Sequence, residues 1–514
     1  MSLSHAGKDN IAVLAICLAA LMFGLEISSV PAILPNVEKV LHAGFSSVQW
    51  IMNAYTIACT TVLMAAGTLA DRYGRKRVLL VSVLAFGVTS LVCGLARDAS
   101  ILIVSRFLQG MSGGAMVICQ IAALSHQFQE GARRSRAFAA WGIIFGVGLG
   151  FGPIIGSAIV ALLNWTWVFL IQVPLAVITM MLIAGSVDES RDPEAKHLDV
   201  LGIVSLSLAV FGLTFFITQG QTLGFTSLAA FASIVVSAIS FLVFIYAEKH
   251  SDHPMFDFSV FRIRQFSGAL YGSMGMNFSF WPFMIYLPIY FQSALGYGVV
   301  ASGLALLTYT LPTLVVPPLA ERLTVRYQPR VIIPAGLFTI GLGFFLMKQG
   351  SAAEHASWLS LLPGCALAGV GLGMTNTPVT NTTTGAVPSS RAGMASGIDM
   401  SARLITLAIN IALMGFLLLE GIFAYLERIN MGAIDASQLR DIASRIAAGV
   451  MPQAGASLGA IDGAMAHDAL AHGFGWVMLY GGIGAWILAI ASFMTFGSKG
   501  ALSKSSPCCA SESA

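Results

Sequence analysis

Charged residues are scarce in this chain. Only 10% of its 514 residues are Asp, Glu, Lys or Arg, while 56% are hydrophobic and mean hydropathy is +0.81; soluble domains carry roughly a quarter charged residues. A water-soluble fold could not hide that much apolar surface. Cysteine is sparse too: Cys17, Cys59, Cys93, Cys119 and Cys365 fall inside apolar runs, and Cys508 and Cys509 lie in the tail after the last run, so no disulfide framework is implied. The last pair reads as two reduced thiols, with lipidation as the alternative. No loop is long enough for a typical soluble domain and no catalytic constellation stands out, which argues against an enzyme or a sensor and leaves no expected metal or cofactor. The one glycine-spaced run, Gly146–Gly156, follows no strand and has only apolar neighbours, so it is no dinucleotide fingerprint.

What is present is a series of apolar runs of bilayer-crossing length, about 20 residues at about 1.5 Å each. Fourteen spans are expected: 11–34, 48–70, 78–95, 99–124, 138–162, 167–185, 200–219, 227–247, 268–293, 300–320, 331–349, 357–384, 393–420 and 474–496. The first is too long for a signal-peptide core and no small-residue cleavage site follows it, so it is kept as span 1. An even count puts both termini on one side. With that side cytoplasmic, 19 of the 27 Lys and Arg fall in cytoplasmic segments, six on the other face, and Arg106 and Arg403 inside spans. The net charge of +3 reflects this topology and gives no reason to invoke nucleic acid.

A faint repeat divides the chain. L-A-E-R-L-T-V-R-Y-Q-P-R-V at Leu319–Val331 echoes L-A-D-R-Y-G-R-K-R-V at Leu69–Val78, each after the second helix of a six-helix set once spans 7 and 8 are set aside. The expected plan is an N-terminal half (1–186), a two-helix insert (187–250), a C-terminal half (251–497) with a long extracytoplasmic loop (421–473), and a cytoplasmic tail (498–514). Repeats of this kind are the usual build of secondary transporters, with the substrate path between them. The alternative is that basic turns simply look alike.

Polar groups inside spans cost several kcal/mol unless paired or hydrated, so each is a candidate. Glu26 sits roughly 22 Å into span 1, with no base one turn away on its own helix, and stands as an unpaired acid. On span 4, Arg106, Gln109, Gly113 and Gln120 share one face; on span 13, Asp399, Arg403, Thr406 and Asn410 do. Span 12 ends in a hydroxyl- and amide-rich stretch from Thr375 to Thr384 that includes Asn376. These four helices are expected to line a hydrated or substrate-filled path. Each residue has a plainer reading: Asp399 with Arg403 as a structural staple, Arg106 as a packing anchor. Span 9 is aromatic, with Trp281, Tyr286 and Tyr290 near Asn277, and suits flat or cationic ligands or else lipid contact. Span 5 carries small residues four apart with Pro153 among them, a hinge or tight seal.

Taken together, the motifs resemble the major facilitator superfamily. G-T-L-A-D-R-Y-G-R-K-R at Gly67–Arg77, with Asp71, Arg72, Gly74 and Arg75, is similar to its signature between helices 2 and 3, and R-F-L-Q-G at Arg106–Gly110 to its helix 4 motif. Gly148, Gly152, Pro153 and Gly156 match the antiporter pattern of helix 5, with Ser157 and Ala139 in place of its last and first glycines. L-E-I-S-S-V-P-A-I-L-P, W-I-M-N-A-Y and W-T-W-V-F-L-I-Q-V-P resemble the fourteen-helix drug/proton antiporter branch, the QacA-like and EmrB-like exporters. The resemblance implies an all-α polytopic membrane protein of major facilitator fold with 14 helices (6 + 2 + 6), spanning a bacterial inner membrane with both termini cytoplasmic. It further implies proton coupling through Glu26, where the branch normally has Asp, and Arg106, with Asp399 and Arg403 either coupling or structural. The Gly67–Arg75 turn would be a cytoplasmic gate.

Expected substrate-lining residues are Gln109, Gln120, Asn277, Trp281, Tyr286, Asn376 and Asn410. The function expected is export of toxic amphipathic or cationic small molecules in exchange for protons by alternating access; a dedicated exporter of a metabolite such as a siderophore or antibiotic would share every motif. Partners are the substrate, protons and lipid, with a periplasmic adaptor as a family role, for a chain expected to be a monomer. Within the last loop, Leu439, Ile442 and Ile446 recur at helical spacing, which suggests a short amphipathic helix resting on the membrane.

Overall fold

The computed structural model describes residues 5–41, 45–128, 131–191, 200–224, 226–250, 258–278, 280–353, 356–388, 391–430, 435–447 and 461–497. The expected cytoplasmic tail lies outside them. All described elements are helical. The first set comprises α1 (His5–Leu41), α2 (Phe45–Tyr73), α3 (Arg75–Leu95), α4 (Ala99–Gln127), α5 (Gly131–Leu162), and the pair α6 (Thr166–Leu170) and α7 (Gln172–Ser186). α8 (Val200–Leu223) and α9 (Leu228–His250) follow. The last set is α10 (Arg264–Met276), α11 (Phe280–Ile289), α12 (Val299–Thr310), α13 (Pro312–Tyr327), α14 (Pro329–Ser351), α15 (Trp358–Gly385), α16 (Ala392–Asn430), α17 (Ala436–Ala447) and α18 (Gly463–Phe496).

Among the described residues twelve helical stretches are long and apolar enough to cross a membrane, α6 with α7 and α12 with α13 each forming one, and α2, bent by 49° between Trp50–Leu63 and Ala65–Tyr73, makes a thirteenth. The remaining expected span, 268–293, is a broken rod. α10 stops at Met276, α11 restarts at Phe280, and a π-helical turn covers Tyr290–Ala294. Pro288 lacks the N–H that would continue the helical ladder, and a widened turn follows it, as expected where that ladder is interrupted. Hydropathy is blind to such breaks.

Packing follows the two sets. α1 lies along α5 and α7, and α2 and α3 along α4; in the later set α14 packs on α15 and α18, and α16 on α18. The sets meet where α2 touches α16 and where α5 touches α12 and α13. α8 fills the seam between α2 and α16, while α9 packs chiefly on α8 and shows Phe231, Leu242 and Tyr246 to the outside.

The echo in sequence has a counterpart in backbone. α2 ends at Tyr73 and reverses on Gly74 at φ 110°, and α13 ends at Tyr327 and reverses on Gln328 at φ 70°. The second position tolerates a side chain in left-handed space, which costs a non-glycine residue on the order of 1 kcal/mol.

At 39 and 34 residues, α16 and α18 run about 58 and 51 Å at helical rise, well past a hydrocarbon core of about 30 Å. Their far ends carry α17. Its apolar face, with Leu439, Ile442, Ala443 and Ile446 all buried, packs against α16, so this helix caps protein rather than resting on lipid.

Candidate functional site

Glu26 is fully buried, and it is paired, contrary to the reading from its own helix alone. Arg106 of α4 reaches across so that its Nη1 donates to Glu26 Oε1 at 2.5 Å and to Gln109 Oε1 at 2.7 Å, while Nε donates to the Ile51 carbonyl at 3.3 Å. Gln172 of α7 donates to the other carboxylate oxygen at 3.3 Å. Gln109 in turn donates to Ser90 Oγ on α3 at 2.7 Å. The guanidinium lies 4.2 Å from the ring centre of Tyr55 and 5.8 Å from that of Phe169. Gly110, the last residue of R-F-L-Q-G, makes this possible: a Cβ there would strike the Tyr55 backbone, so only glycine lets α2 bring its ring and the Ile51 carbonyl onto Arg106. Buried charges must be paired and hydrogen-bonded, and this pair is both.

Gln172, Ser90, Tyr55 and Phe169 were not singled out from sequence. A lone amide inside W-T-W-V-F-L-I-Q-V-P was the available signal for Gln172. Gln109, expected to line a path, has its amide engaged within the first set and holds Arg106 instead.

Two contacts tie the sets together at the end where α2 meets α3. Asp71, bonded by Arg75 at 2.8 and 3.0 Å, lies against the start of α16, where a Cβ on Gly393 would meet its carboxylate. A helix start favours a negative charge. Gly67 permits the crossing, since its Cβ would come 3.0 Å from the Gly393 carbonyl. Arg72 stacks on Tyr73 at 5.2 Å. Glu189 caps the turn by accepting from the Lys76 amide at 3.1 Å, and a Cβ on Gly74 would lie 2.5 Å from it.

The second contact was missed: Arg134 of α5 donates to Asn381 at 2.9 Å and Thr384 at 2.8 Å on α15, and Asn381 donates to Glu321 at 3.0 Å. Glu321 is the acid of the echo.

α5 carries two glycine rows. Gly148, Gly152 and Gly156 face α1, where a Cβ on Gly148 would lie 3.0 Å from the Leu21 carbonyl and one on Gly156 2.9 Å from Ser29. Ser28 donates to the Gly148 carbonyl at 2.9 Å. Gly142, Gly146 and Gly150 face Thr377, Thr313 and Thr310 of the last set. Pro153 lies within the helix.

In the last set, Arg403 bonds Asp399 at 3.1 Å, Asn376 at 2.6 Å and Thr380 at 2.6 Å, and Ser273 donates to Asp399. Asn410 accepts from Tyr480 at 2.9 Å and Tyr286 donates to the Ile411 carbonyl at 2.7 Å. Asn277 donates to Ser273 while its Oδ1 has no partner among the described residues. Gln120 is fully buried with neither amide atom partnered among them. The Trp281 side chain lies outside the described residues. No His, Cys, Asp or Glu cluster among the described residues could hold a metal.

Comparisons with known proteins agree with this architecture. The profile of the Major Facilitator Superfamily matches residues 16–410. The multidrug resistance protein Stp of Mycobacterium tuberculosis is 30% identical over 410 residues, covering 80% of this chain and 76% of that protein. The tetracenomycin C resistance and export protein of Streptomyces glaucescens is 28% identical, covering 95% and 92%. The human organic anion transporter MFSD10 (TETRAN) superposes with a TM-score of 0.60 at 15% identity over 95% of this chain and all of that one, a likeness of fold. A multi-pass helical bundle with a buried acid–base pair in its first set, basic turns joining its sets and this breadth of match is a membrane transporter, and the chain belongs to the major facilitator superfamily.

Proposed function

We propose that the chain exports amphipathic or cationic small molecules across the bacterial inner membrane in exchange for protons, by alternating access. The observation that carries this reading is the Glu26–Arg106 pair, sealed inside the first helical set. Burial disfavours a carboxylate and a neighbouring cation favours it, so a group under both influences can change protonation with a modest change of surroundings. When Glu26 is neutral, Arg106 still has Gln109, the Ile51 carbonyl and two ring faces, so its charge is not stranded.

The relatives named for multidrug resistance support the substrate class. A dedicated export role is the second reading, favoured by the relative named for tetracenomycin C, whose match spans 95% of this chain. Both termini are cytoplasmic in this proposal, the halves are 1–186 and 251–497 around the insert 187–250, and the broken rod α10–α11 counts as the fourteenth crossing. The Asp71 and Arg134 contacts close the cytoplasmic side. Asp399 with Arg403 binds α10, α15 and α16 together and is read as a structural staple.

Glu26→Gln, expressed in a drug-sensitive bacterium, is expected to insert normally, to lose drug resistance and to lose protonophore-sensitive ethidium efflux. Normal efflux by that variant would sink the coupling assignment.

A further inference from the structure

At the end of the first helical set opposite the Asp71 turn there is an open cavity of about 580 Å³, lined by polar Asn36, Asn164 and Thr166 and by apolar Ala96, Val160 and Leu163, with exposed Arg97 at its rim. Three helices descend from it in the same order. On α1, Asn36 is followed inward by Ile33, Val30 and Glu26; at the C-cap of α3, Ala96 is followed by Cys93 and Ser90; on α6–α7, Thr166 by Phe169 and Gln172. The steps are three or four residues, one helical turn each, so every series keeps to one face. In each, the top residue lines the cavity, the middle belongs to one buried apolar cluster, and the bottom belongs to the hydrogen-bonded network around Glu26 and Arg106. The apolar layer is one to two turns thick, about 5–10 Å. Cys93 Sγ, inside that layer, lies 3.6 Å from Gln109 Oε1 and so touches the network below. Among the described residues, the hydrogen-bond partners of Glu26 belong to α4 and α7 and none to the later set.

We propose that this column is the proton's route from the extracytoplasmic side: water fills the cavity, crosses the apolar layer by transient wetting, and delivers protons to Glu26 through the first set itself. Apolar constrictions of this size gate by wetting and drying. The proton and the substrate then travel by separate paths, the substrate between the two sets, and they meet only through the helices they share. The inference rests on the reading of Glu26 as the proton site.

The test uses Val160→Cys in a chain carrying Cys508→Ser and Cys509→Ser, because the other five cysteines are buried. After reconstitution in liposomes, the introduced thiol is labelled with a bulky membrane-impermeant maleimide, so the same folded protein serves as its own control. Labelling is expected to slow ethidium-driven proton flux at least fivefold and to leave ethidium counterflow, which runs through the loaded carrier alone, unchanged. Unchanged proton flux, parallel loss of counterflow, or failure of the thiol to label would each overturn the route. Glu26→Gln in the same liposomes separates the two ideas. If it abolishes proton flux while the labelled protein conducts normally, the route alone is wrong; if it conducts normally, the coupling reading falls first.

Discussion

Removing one member of the Glu26–Arg106 pair should cost far more than removing both. Both side chains are essentially out of contact with solvent, at 0% and 3% exposure. Breaking a pair in such surroundings leaves an uncompensated charge and typically costs about 3–5 kcal/mol, whereas replacing both charges is often close to neutral. The two singles should also differ. Glu26→Gln leaves Arg106 with Gln109, the Ile51 carbonyl and the Tyr55 and Phe169 rings, and a desolvated cation–ring contact is worth about 2 kcal/mol, so its cost falls at or below the low end of that range. Arg106→Gln leaves Glu26 with Gln172 at 3.3 Å as its remaining side-chain partner among those above, and its cost falls at the high end. The double variant should cost less than Glu26→Gln alone, so it should recover about 5 kcal/mol or more of a summed loss of about 8 kcal/mol, above the usual range for contacting residues because the stranded charge is buried. Thermal unfolding in detergent, followed with a thiol-reactive dye, suits this chain because Cys17, Cys59, Cys93, Cys119 and Cys365 are buried until it unfolds. The expected order of midpoints is wild type, then the double variant, then Glu26→Gln, then Arg106→Gln. Additive losses, with the double variant the least stable by the sum of the singles to within about 0.5 kcal/mol, would refute the pairing argument.

Gly150→Val should leave the first set intact but push α5 off Thr310, since a Cβ there already comes within 2.7 Å of the threonine; ethidium efflux should fall at least tenfold with little change in unfolding midpoint. Arg134→Ala removes charge-assisted bonds to Asn381 and Thr384, each worth about 1.5–3 kcal/mol, and should raise cytoplasmic accessibility of a thiol placed by Asn376→Cys at least tenfold, read by labelling in inside-out vesicles. Leu439→Asp puts a charge into the buried face of α17 and should cost about 2–4 kcal/mol in the unfolding assay while leaving the Glu26 site untouched; an unchanged midpoint would mean that α17 is not docked on α16.

Both members of the central pair were legible one at a time, as the acid of an apolar span and the base that opens a polar stripe. Their pairing was not. Glu26 and Arg106 lie 80 positions apart on different helices, and periodicity reports which face of a helix a residue occupies but not what stands opposite. The same limit explains Gln109: its place on the stripe with Arg106 was readable, while Ser90 on α3, which receives its amide proton, was not. On α5 the glycines stood out, yet Gly146 of one row and Gly148 of the other are two residues, about 200°, apart, so the rows face opposite ways, one to α1 and one to the later set. For α17 the amphipathic pattern was correct and its partner was not, because an apolar face buries equally well against lipid or against the overrunning ends of α16 and α18. The break between α10 and α11 escaped notice because Asn277 and Ser279 beside it are too few to interrupt the apolar run that a span is read from.

On the proposal that Glu26 takes up the proton, the geometry of α5 carries that event from the first set to the second. Glu26 stands two residues before Ser28, whose hydroxyl donates to the Gly24 carbonyl on its own helix at 2.7 Å and to the Gly148 carbonyl on α5 at 2.9 Å. Any shift of α1 that follows a change of charge on Glu26 is therefore delivered to α5 by a hydrogen bond and by backbone packed too closely to slip, the Gly24–Gly148 crossing leaving room for no side chain. α5 is one continuous helix, and its opposite row of glycines meets the threonines of α12, α13 and α15. At its first turns it also carries Arg134, which bonds to α15 beside Glu321. A rotation of a few degrees at the α1 crossing thus changes the threonine contacts and the Arg134 contact together. Packed surfaces of this kind have discrete arrangements, so small displacements at one face become a change of state at the other. That division of labour, close packing toward the proton site and small-residue clearance toward the moving partner, requires both glycine rows on one helix, and it gives the second row, which the antiporter motif does not include, a role of its own.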